Sequence, residues 1–134
     1  MPHDEEWKKD WKRPVLEHGK LTPWNWMVLY PDGFVMGNYV DIGAFTLIQA
    51  EAGVELRDEV EIGSHCGIYS HSSIDEKKGK VYIGKCTRIG SHSTIMPGVT
   101  IGEGTIIGAH SLVIKDIPSN ALALGVPAKV VRWL

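Results

Sequence analysis

The 134-residue sequence lacks three features that would point to other kinds of protein: an excess of one charge, a long apolar run and more than two cysteines. Its formal net charge of −2 gives no reason to expect binding to nucleic acid or to an anionic membrane surface. No apolar run is long enough to cross a bilayer, and no signal-peptide pattern is present. We therefore expect a cytoplasmic protein without membrane insertion.

The sequence also lacks a sustained helical period, and a period of six residues takes its place from Met36 onward. Each unit begins with an apolar residue, called the head here, and seven of the thirteen heads are followed directly by glycine. The fifth position of a unit is nearly always small or β-branched. The heads, ten of which are isoleucine, are Met36, Ile42, Ile48, Leu56, Ile62, Ile68, Ile74, Ile83, Ile89, Ile95, Ile101, Ile107 and Val113.

A six-residue period of this composition predicts one short strand and one corner per unit. A β-branched head suits an extended, packed segment, and the glycine after it permits the chain to bend. Three units then make one triangular coil, and coils stack at the strand spacing of about 4.8 Å. We predict an all-β fold, a parallel β-solenoid over residues 36–134. Cys66 takes an inward and Cys86 an outward position, so we expect two reduced thiols rather than a disulfide.

Residues 1–35 do not repeat, and we predict that they form a short N-terminal cap. Asp4 to Lys12 could form a helix with Trp7 and Trp11 one turn apart, and two further tryptophans follow at positions 24 and 26. The open end of a solenoid has to be covered, which favours the cap. The alternative is that this segment forms a wall or a lid of a substrate site.

The register breaks twice, with two extra residues before Leu56 and three before Ile83. The second break is charged, so we expect it to loop outward, as a simple solvated turn or as part of a functional site. Stacking the units in sequence order places His71, His92 and His110 in one outward column, with Glu51 below His71.

Three interpretations of this histidine column remain open: a ladder of exposed polar residues, a metal site and a catalytic base. A straight column does not converge on a metal ion, which wants three or four ligands at about 2.1 Å. His71 directly precedes the charged insertion, where a pocket can form. A neutral imidazole, with an ordinary pKa of about 6.5, can accept a proton from a hydroxyl or an amine.

Several segments resemble the hexapeptide-repeat acyltransferases, most closely the branch of galactoside, maltose and xenobiotic O-acetyltransferases. The resemblance covers residues 36–132, and it implies that the β-helix is left-handed. The residues that carry it are Ile83-Gly84-Lys85, Ile89-Gly90-Ser91-His92, Ile95-Met96-Pro97-Gly98-Val99-Thr100-Ile101-Gly102, Ile107-Gly108-Ala109, Ile114-Lys115-Asp116-Ile117-Pro118 and Gly125-Val126-Pro127-Ala128-Lys129-Val130-Val131-Arg132.

The resemblance implies a homotrimer with its active sites in the grooves between subunits. It implies transfer of an acyl group, here taken as acetyl, from acetyl-coenzyme A, without a metal. His71 matches the general base. Coenzyme A would contact small residues of the coils and basic residues of the tail, and the acceptor would contact three further residues. The expected coenzyme A contacts are Gly90, Ser91, Gly108, Ala109, Lys115, Lys129 and Arg132, and the expected acceptor contacts are Glu51, Tyr69 and Arg88.

This chain departs from that branch around the acceptor. It has a short N-terminal region and a short loop after His71. Arg88 stands where an aromatic residue is common, and Gly43-Ala44-Phe45-Thr46 offers no match for an asparagine that usually helps to hold the acceptor. These changes favour a larger or anionic acceptor, such as a nucleotide-linked or polymer-bound sugar.

Two other classes of function remain as alternatives. The first is a zinc lyase similar to the γ-class carbonic anhydrases, which share the fold. Its family places two zinc ligands five residues apart, whereas His65 and His71 are six apart. The second is a non-catalytic scaffold, since a fold alone does not settle function.

Overall fold

Three parallel sheets run along the molecule, because each six-residue unit contributes one short strand to one sheet and then turns a corner. The structure is a computed structural model that describes residues 3–134. Within that range no helix is long and apolar enough to cross a membrane.

The only α-helix of residues 3–134 is α1 (Glu5–Asp10), and Pro31–Gly33 forms a 3₁₀ turn. Seventeen short strands follow the helix. They are β1 (Met27–Leu29), β2 (Phe34–Met36), β3 (Asp41–Ile42), β4 (Leu47–Gln49), β5 (Val54–Leu56), β6 (Glu61–Ile62), β7 (Gly67–Tyr69), β8 (His71–Ser72), β9 (Lys77–Lys78), β10 (Val81–Ile83), β11 (Arg88–Ile89), β12 (Thr94–Ile95), β13 (Thr100–Ile101), β14 (Ile106–Ile107), β15 (Leu112–Val113), β16 (Ala121–Gly125) and β17 (Ala128–Trp133).

Strands three units apart pair in parallel, which builds the three faces of the solenoid. Sheet A has the order β1-β4-β7-β12-β15, sheet B the order β13-β10-β5-β2, and sheet C the order β17-β16-β14-β11-β6-β3. Strand β17 closes sheet C by pairing antiparallel with β16. A separate hairpin of β8 and β9 projects from the chain between sheets A and B.

The heads of the units fill the interior, as the period predicts. Ile48, Ile83 and Ile101 are completely buried, and most of the fifth positions are buried with them. Their hydroxyls bond to carbonyl oxygens of the neighbouring coil: Thr46 Oγ1 donates to Gly63 O over 2.8 Å. A buried hydroxyl without such a partner would destabilise the fold. Cys66 is buried, Cys86 is exposed and both are free thiols, as expected.

The corners show why glycine follows so many heads. The left-handed backbone conformation falls on the residue two positions after that glycine, for example His65 with φ 57° and His92 with φ 60°. The glycine itself lies against the backbone of the next coil, and a Cβ on Gly84 would sit 2.6 Å from Glu103 N. Close approach of two coils, rather than a bend, therefore requires glycine there.

The predicted stacking order is wrong at the charged insertion. Ile62 pairs with Ile89 rather than Ile83, and Ile68 pairs with Ile95 rather than Ile89. Ile74, expected to be a buried head, is 97% exposed in the turn of the β8–β9 hairpin. The segment that leaves the coil, from His71 to Lys80, therefore contains a whole six-residue unit in addition to the extra residues. A hairpin forms there, and the coil resumes only at Val81.

The histidine column is also corrected by this shift. His65, not His71, stacks with His92 and His110, with successive ring centroids 4.8 Å apart, and Phe45 lies next to His65. These exposed rings are stacked along the corner of the solenoid between sheets C and A. His71 lies in the hairpin, beyond the other edge of sheet A.

The N-terminal segment lies against the first coil, and its helix begins after the N-cap Asp4, whose side chain accepts from Trp7 N. Trp11 Nε1 donates to Val40 O over 2.8 Å, so the segment satisfies backbone groups of the coil. Strand β1 already pairs with β4 in sheet A. The segment of residues 1–35 thus contains the first strand of the stack as well as the helix.

A Gly84→Ala substitution tests the close approach of the coils. We expect it to lower the free energy of unfolding by about 1–3 kcal/mol, because the new Cβ meets the backbone of the next coil, which cannot move without disturbing the stack. The exposed neighbour Lys85 provides the control, since Lys85→Ala should change stability by less than about 0.5 kcal/mol. Equal stability of the two variants in urea unfolding would contradict this account.

Candidate active site

The β8–β9 hairpin and the loop that follows β4 meet at the corner between sheets A and B, and they bring His71 and Glu51 together. His71 pairs with Lys78 across the hairpin, which fixes its backbone. Glu51 follows β4, whose neighbour in sheet A is β7. The two side chains meet because the loop after β4 lies directly below the start of the hairpin.

His71 makes one strong contact and leaves one nitrogen without a partner. Its Nδ1 lies 2.5 Å from Oε2 of Glu51. An ionised carboxylate can only accept, so Nδ1 carries a proton, and in the neutral imidazole the lone pair is then on Nε2. Nε2 is buried and has no hydrogen-bond partner within residues 3–134. An imidazole in this state is arranged to accept a proton at Nε2.

A small polar network holds Glu51 in place. Gln49 Nε2 lies 3.4 Å from Glu51 Oε2, and Gln49 Oε1 accepts from Glu51 N over 3.2 Å. The buried Ser70 hydroxyl bonds to Gln49 O over 2.7 Å. The hydrogen bond from His71, aided by that from Gln49, lowers the pKa of Glu51 from its ordinary value of 4.5 despite some desolvation. Glu51 therefore stays ionised and orients the imidazole.

His71 opens onto a cavity of about 630 Å³ on the outer surface of sheet A. This volume lies within the range of about 300–1,000 Å³ typical of small-molecule sites. Tyr69 forms part of its floor and lies so close over Gly67 that a Cβ there would come within 2.5 Å of the ring. Three predicted residues thus share one cavity: the base His71 with Glu51 and Tyr69. Other lining residues include Leu29, Tyr30, Gln49, Ile74 and Met96.

Glu76 is a residue of this site that the sequence reasoning missed. Its Oε2 lies 3.8 Å from Nε2 of His71, and its side chain is 81% exposed in the turn of the hairpin. The charged insertion after His71 was the available signal, but it did not indicate which of its carboxylates would approach the imidazole. His71 thus has a carboxylate on either side.

A second group of predicted residues lies on sheet C. Arg88, Gly90, Gly108 and Ala109 line one shallow cavity there, next to Glu61. Nε of Arg88 lies 3.8 Å from Oε2 of Glu61. Arg88 therefore does not line the His71 cavity of the same chain, although both were expected at the acceptor. Ser91 follows Gly90 at the corner that leads to sheet A.

The three predicted basic residues are exposed near the last coil. Lys129 and Arg132 lie on β17, the edge strand of sheet C, opposite Leu124 and Leu122. Lys115 follows β15 at the end of sheet A. None of the three forms an ion pair with a carboxylate of residues 3–134. Their charges are available to an anionic ligand such as a phosphate.

A metal site has no support from the side chains of a single chain. Within residues 3–134 no group of three or more His, Cys, Asp or Glu side chains is arranged to hold a metal ion. The stacked rings of His65, His92 and His110 run parallel along the corner, so their nitrogens do not converge on one point.

Comparison with known sequences identifies the repeat. Residues 80–115 match the family described as bacterial transferase hexapeptide (six repeats). The chain is 32% identical over 113 residues to an Escherichia coli K12 protein provisionally named the colanic acid biosynthesis acetyltransferase WcaF, covering 78% of this chain and 61% of that one. Curated relatives of higher identity match over 57 residues, only 29% of their own length. The chain thus spans less than two thirds of these relatives.

Solved structures agree with this identification. A maltose O-acetyltransferase from Clostridium difficile 630 superposes with a TM-score of 0.76 at 29% identity, over 82% of this chain and 64% of that one. A galactoside acetyltransferase in complex with coenzyme A gives a TM-score of 0.72 at 30% identity, over 81% of this chain and 58% of that one. The predicted left-handed parallel β-helix and the resemblance to hexapeptide-repeat acyltransferases are confirmed.

A Glu51→Gln substitution tests the ionised carboxylate. Because the folded pKa of Glu51 lies below 4.5, its ionised form stabilises the fold above about pH 4.5, and this contribution is lost as acid protonates it. We expect wild type to lose more stability than Glu51→Gln when urea unfolding near pH 5 is compared with unfolding near pH 3. The control is Glu103→Gln, which removes an exposed carboxylate far from His71 and should keep the acid sensitivity of wild type.

Proposed function

We propose that this protein, a left-handed β-helix built from hexapeptide repeats, is a coenzyme A-dependent acyltransferase. It moves an acetyl group from acetyl-coenzyme A to a hydroxyl or an amine of a sugar, a nucleotide-linked sugar or a polysaccharide. The observation that carries the proposal is the pairing of His71 with Glu51, which leaves a buried Nε2 without a partner beside a cavity.

The chemistry needs one base at the acceptor. Nε2 of His71 takes the proton from the acceptor O–H or N–H while that oxygen or nitrogen attacks the thioester carbonyl carbon. The C–S bond breaks, and the proton passes from the imidazolium to the departing thiolate. Glu51 keeps Nδ1–H in place and stabilises the imidazolium between these two transfers. Oε2 of Glu76, at 3.8 Å from Nε2, brings a second carboxylate close to the reacting nitrogen.

The residues on sheet C suit the donor. Gly90, Gly108 and Ala109 leave backbone accessible in a shallow cavity that could accept an extended pantetheine arm. Lys115, Lys129 and Arg132 remain available for phosphate groups near the same end of the solenoid. Backbone N–H groups near Ser91 would stabilise the oxyanion as the thioester is attacked.

The two groups of residues suit a site shared between subunits. The His71 cavity lies on sheet A, and the shallow cavity with Arg88 lies on sheet C of the same chain. In a homotrimer each groove pairs one face of a subunit with a different face of its neighbour. Such a groove would place the acceptor base of one subunit beside the donor residues of the next, and it would bring Arg88 to an anionic acceptor.

A saccharide acceptor is supported by what the relatives are named for. WcaF is named for colanic acid biosynthesis, and the two solved structures are named for maltose and galactoside acetylation. The zinc lyase alternative finds no ligand set within residues 3–134 of one chain. A non-catalytic scaffold would have no need for a buried, unpaired imidazole nitrogen, which is costly unless it has a function.

The first test replaces the base. His71→Ala should lower kcat for the best sugar acceptor by about 10²–10⁴, because the acceptor loses its proton acceptor in the transition state. The rate is measured as thiol release from acetyl-coenzyme A over a panel of sugars and amino sugars. His65→Gln, which changes an exposed ring of the stacked column, should keep the wild-type rate. Full turnover by His71→Ala would reject the proposed mechanism.

The second test asks whether two chains build one site. His71→Ala removes the base, and Ala109→Trp fills the shallow cavity on sheet C, so each variant alone should be inactive. Mixed trimers should recover activity, up to about a third of wild type, because one of the three grooves of each mixed trimer then has both residue sets intact. The variants are co-expressed with different affinity tags and purified over both. Inactive mixed trimers would show that both residue sets act within one chain, and activity of either variant alone would show that the residue set it changes is not used.

A further inference from the structure

The tryptophan-rich N-terminal segment encloses a second cavity that the proposed reaction does not use. Its volume is about 150 Å³, and it lies at the open end of the solenoid, against the first units of sheets B and C. Two of its tryptophans come from α1 and its C-cap, and two immediately precede β1. The four rings are those of Trp7, Trp11, Trp24 and Trp26, and the rim carries Asp10, Lys12 and Asp41.

Covering the end of the solenoid accounts for only part of this arrangement. Trp26 is 4% exposed and packs into the core, as a cap requires. Trp11 is fixed by its indole N–H, which donates to Val40 O. Trp24, by contrast, leaves 48% of its surface exposed. A half-exposed indole at the mouth of a cavity gains nothing from capping, and it presents an apolar face to a ligand.

The polar groups at the rim favour a ligand rich in hydroxyls. Asp10 forms no ion pair within the described residues, so its carboxylate can accept hydrogen bonds. His3 stacks on Trp7 with ring centroids 3.6 Å apart, and its Nε2 lies 2.8 Å from Oδ2 of Asp41. A sugar ring combines an apolar C–H face with hydroxyl donors, which matches indole faces beside carboxylates.

The cavity is connected to the His71 site by a short stretch of chain. Trp24 and Trp26 line the tryptophan cavity, while Leu29 and Tyr30 line the cavity of His71. Trp26 and Leu29 are separated by about 10 Å along an extended strand. A saccharide of several sugar residues is long enough to reach over the surface from one cavity to the other.

We propose that the tryptophan cavity binds a sugar residue of an oligosaccharide or polysaccharide acceptor, away from the sugar that reacts at His71. This inference rests on the proposed transfer to a saccharide and specifies its acceptor as a chain of sugars. Contacts with a remote sugar hold the acceptor without changing the chemistry at the reacting hydroxyl or amine.

The test is direct binding of the full chain, without acetyl-coenzyme A, to an array of immobilised bacterial oligosaccharides and polysaccharides. We expect wild type to retain at least one saccharide class. Trp24→Ala and Asp10→Asn should each weaken that binding about tenfold or more, the loss expected when a stacking face or a charged acceptor is removed. Trp133→Ala removes another exposed tryptophan, on β17, and should bind as wild type does.

Two results would overturn the proposal: no retained saccharide with wild type, or binding that survives both Trp24→Ala and Asp10→Asn. Trp24→Phe keeps an aromatic face, so it should bind more tightly than Trp24→Ala. That difference would show that the loss in Trp24→Ala comes from the missing aromatic face and not from a folding defect. Thiol release separates the two proposals. Transfer to single sugars with no saccharide retained on the array rejects the tryptophan cavity alone. Saccharide binding through Trp24 with no thiol release for any acceptor rejects the acyltransferase alone.

Discussion

The structure depends on the backbone pairing between one coil and the next. Every strand of the three sheets is two to six residues long and would be unstable alone, so its stability comes from pairing with its neighbours, which is parallel and three units apart for all of them except β17. Pairing at strand spacing brings equivalent positions into contact, so isoleucine packs on isoleucine inside and histidine stacks on histidine outside. The same close spacing excludes a Cβ at Gly84 and at Gly43. Core, corners and surface columns all follow from this one repeat distance.

This dependence explains which features the sequence could predict. The period identified the buried heads, the small fifth positions and the separation of the two thiols, because each is a property of one unit. The period could not identify the segment in which the chain leaves the coil. Ile74 has the composition of a head, and only hairpin pairing between His71 and Lys78 removes it from the core. Counting through that hairpin exchanged His65 for His71 in the exposed column.

The site illustrates the same distinction. His71 and Glu51 were expected near one another, and they meet through the loop after β4 rather than through stacked units. Glu76 could not be chosen among the charged residues of the insertion, since its position depends on a turn with left-handed backbone geometry at Glu76 itself. The separation of Arg88 from His71 depends on which sheet each unit joins, and it too follows from the miscounted hairpin. Local composition therefore identified residues that line the His71 cavity, but it did not identify the sheet on which Arg88 lies.

The hairpin has a further consequence for how such a protein can diversify. Val81 pairs with Val54 in regular register, although the β8–β9 hairpin precedes it in the chain. A change in the length or sequence of that hairpin does not propagate into the stack, because both of its ends are fixed by neighbouring coils. The turn of the hairpin, which carries Ile74 and Glu76 beside His71, can thus change while the stack of coils stays the same. The lining of the His71 cavity can be altered there by insertion and deletion without rebuilding the core.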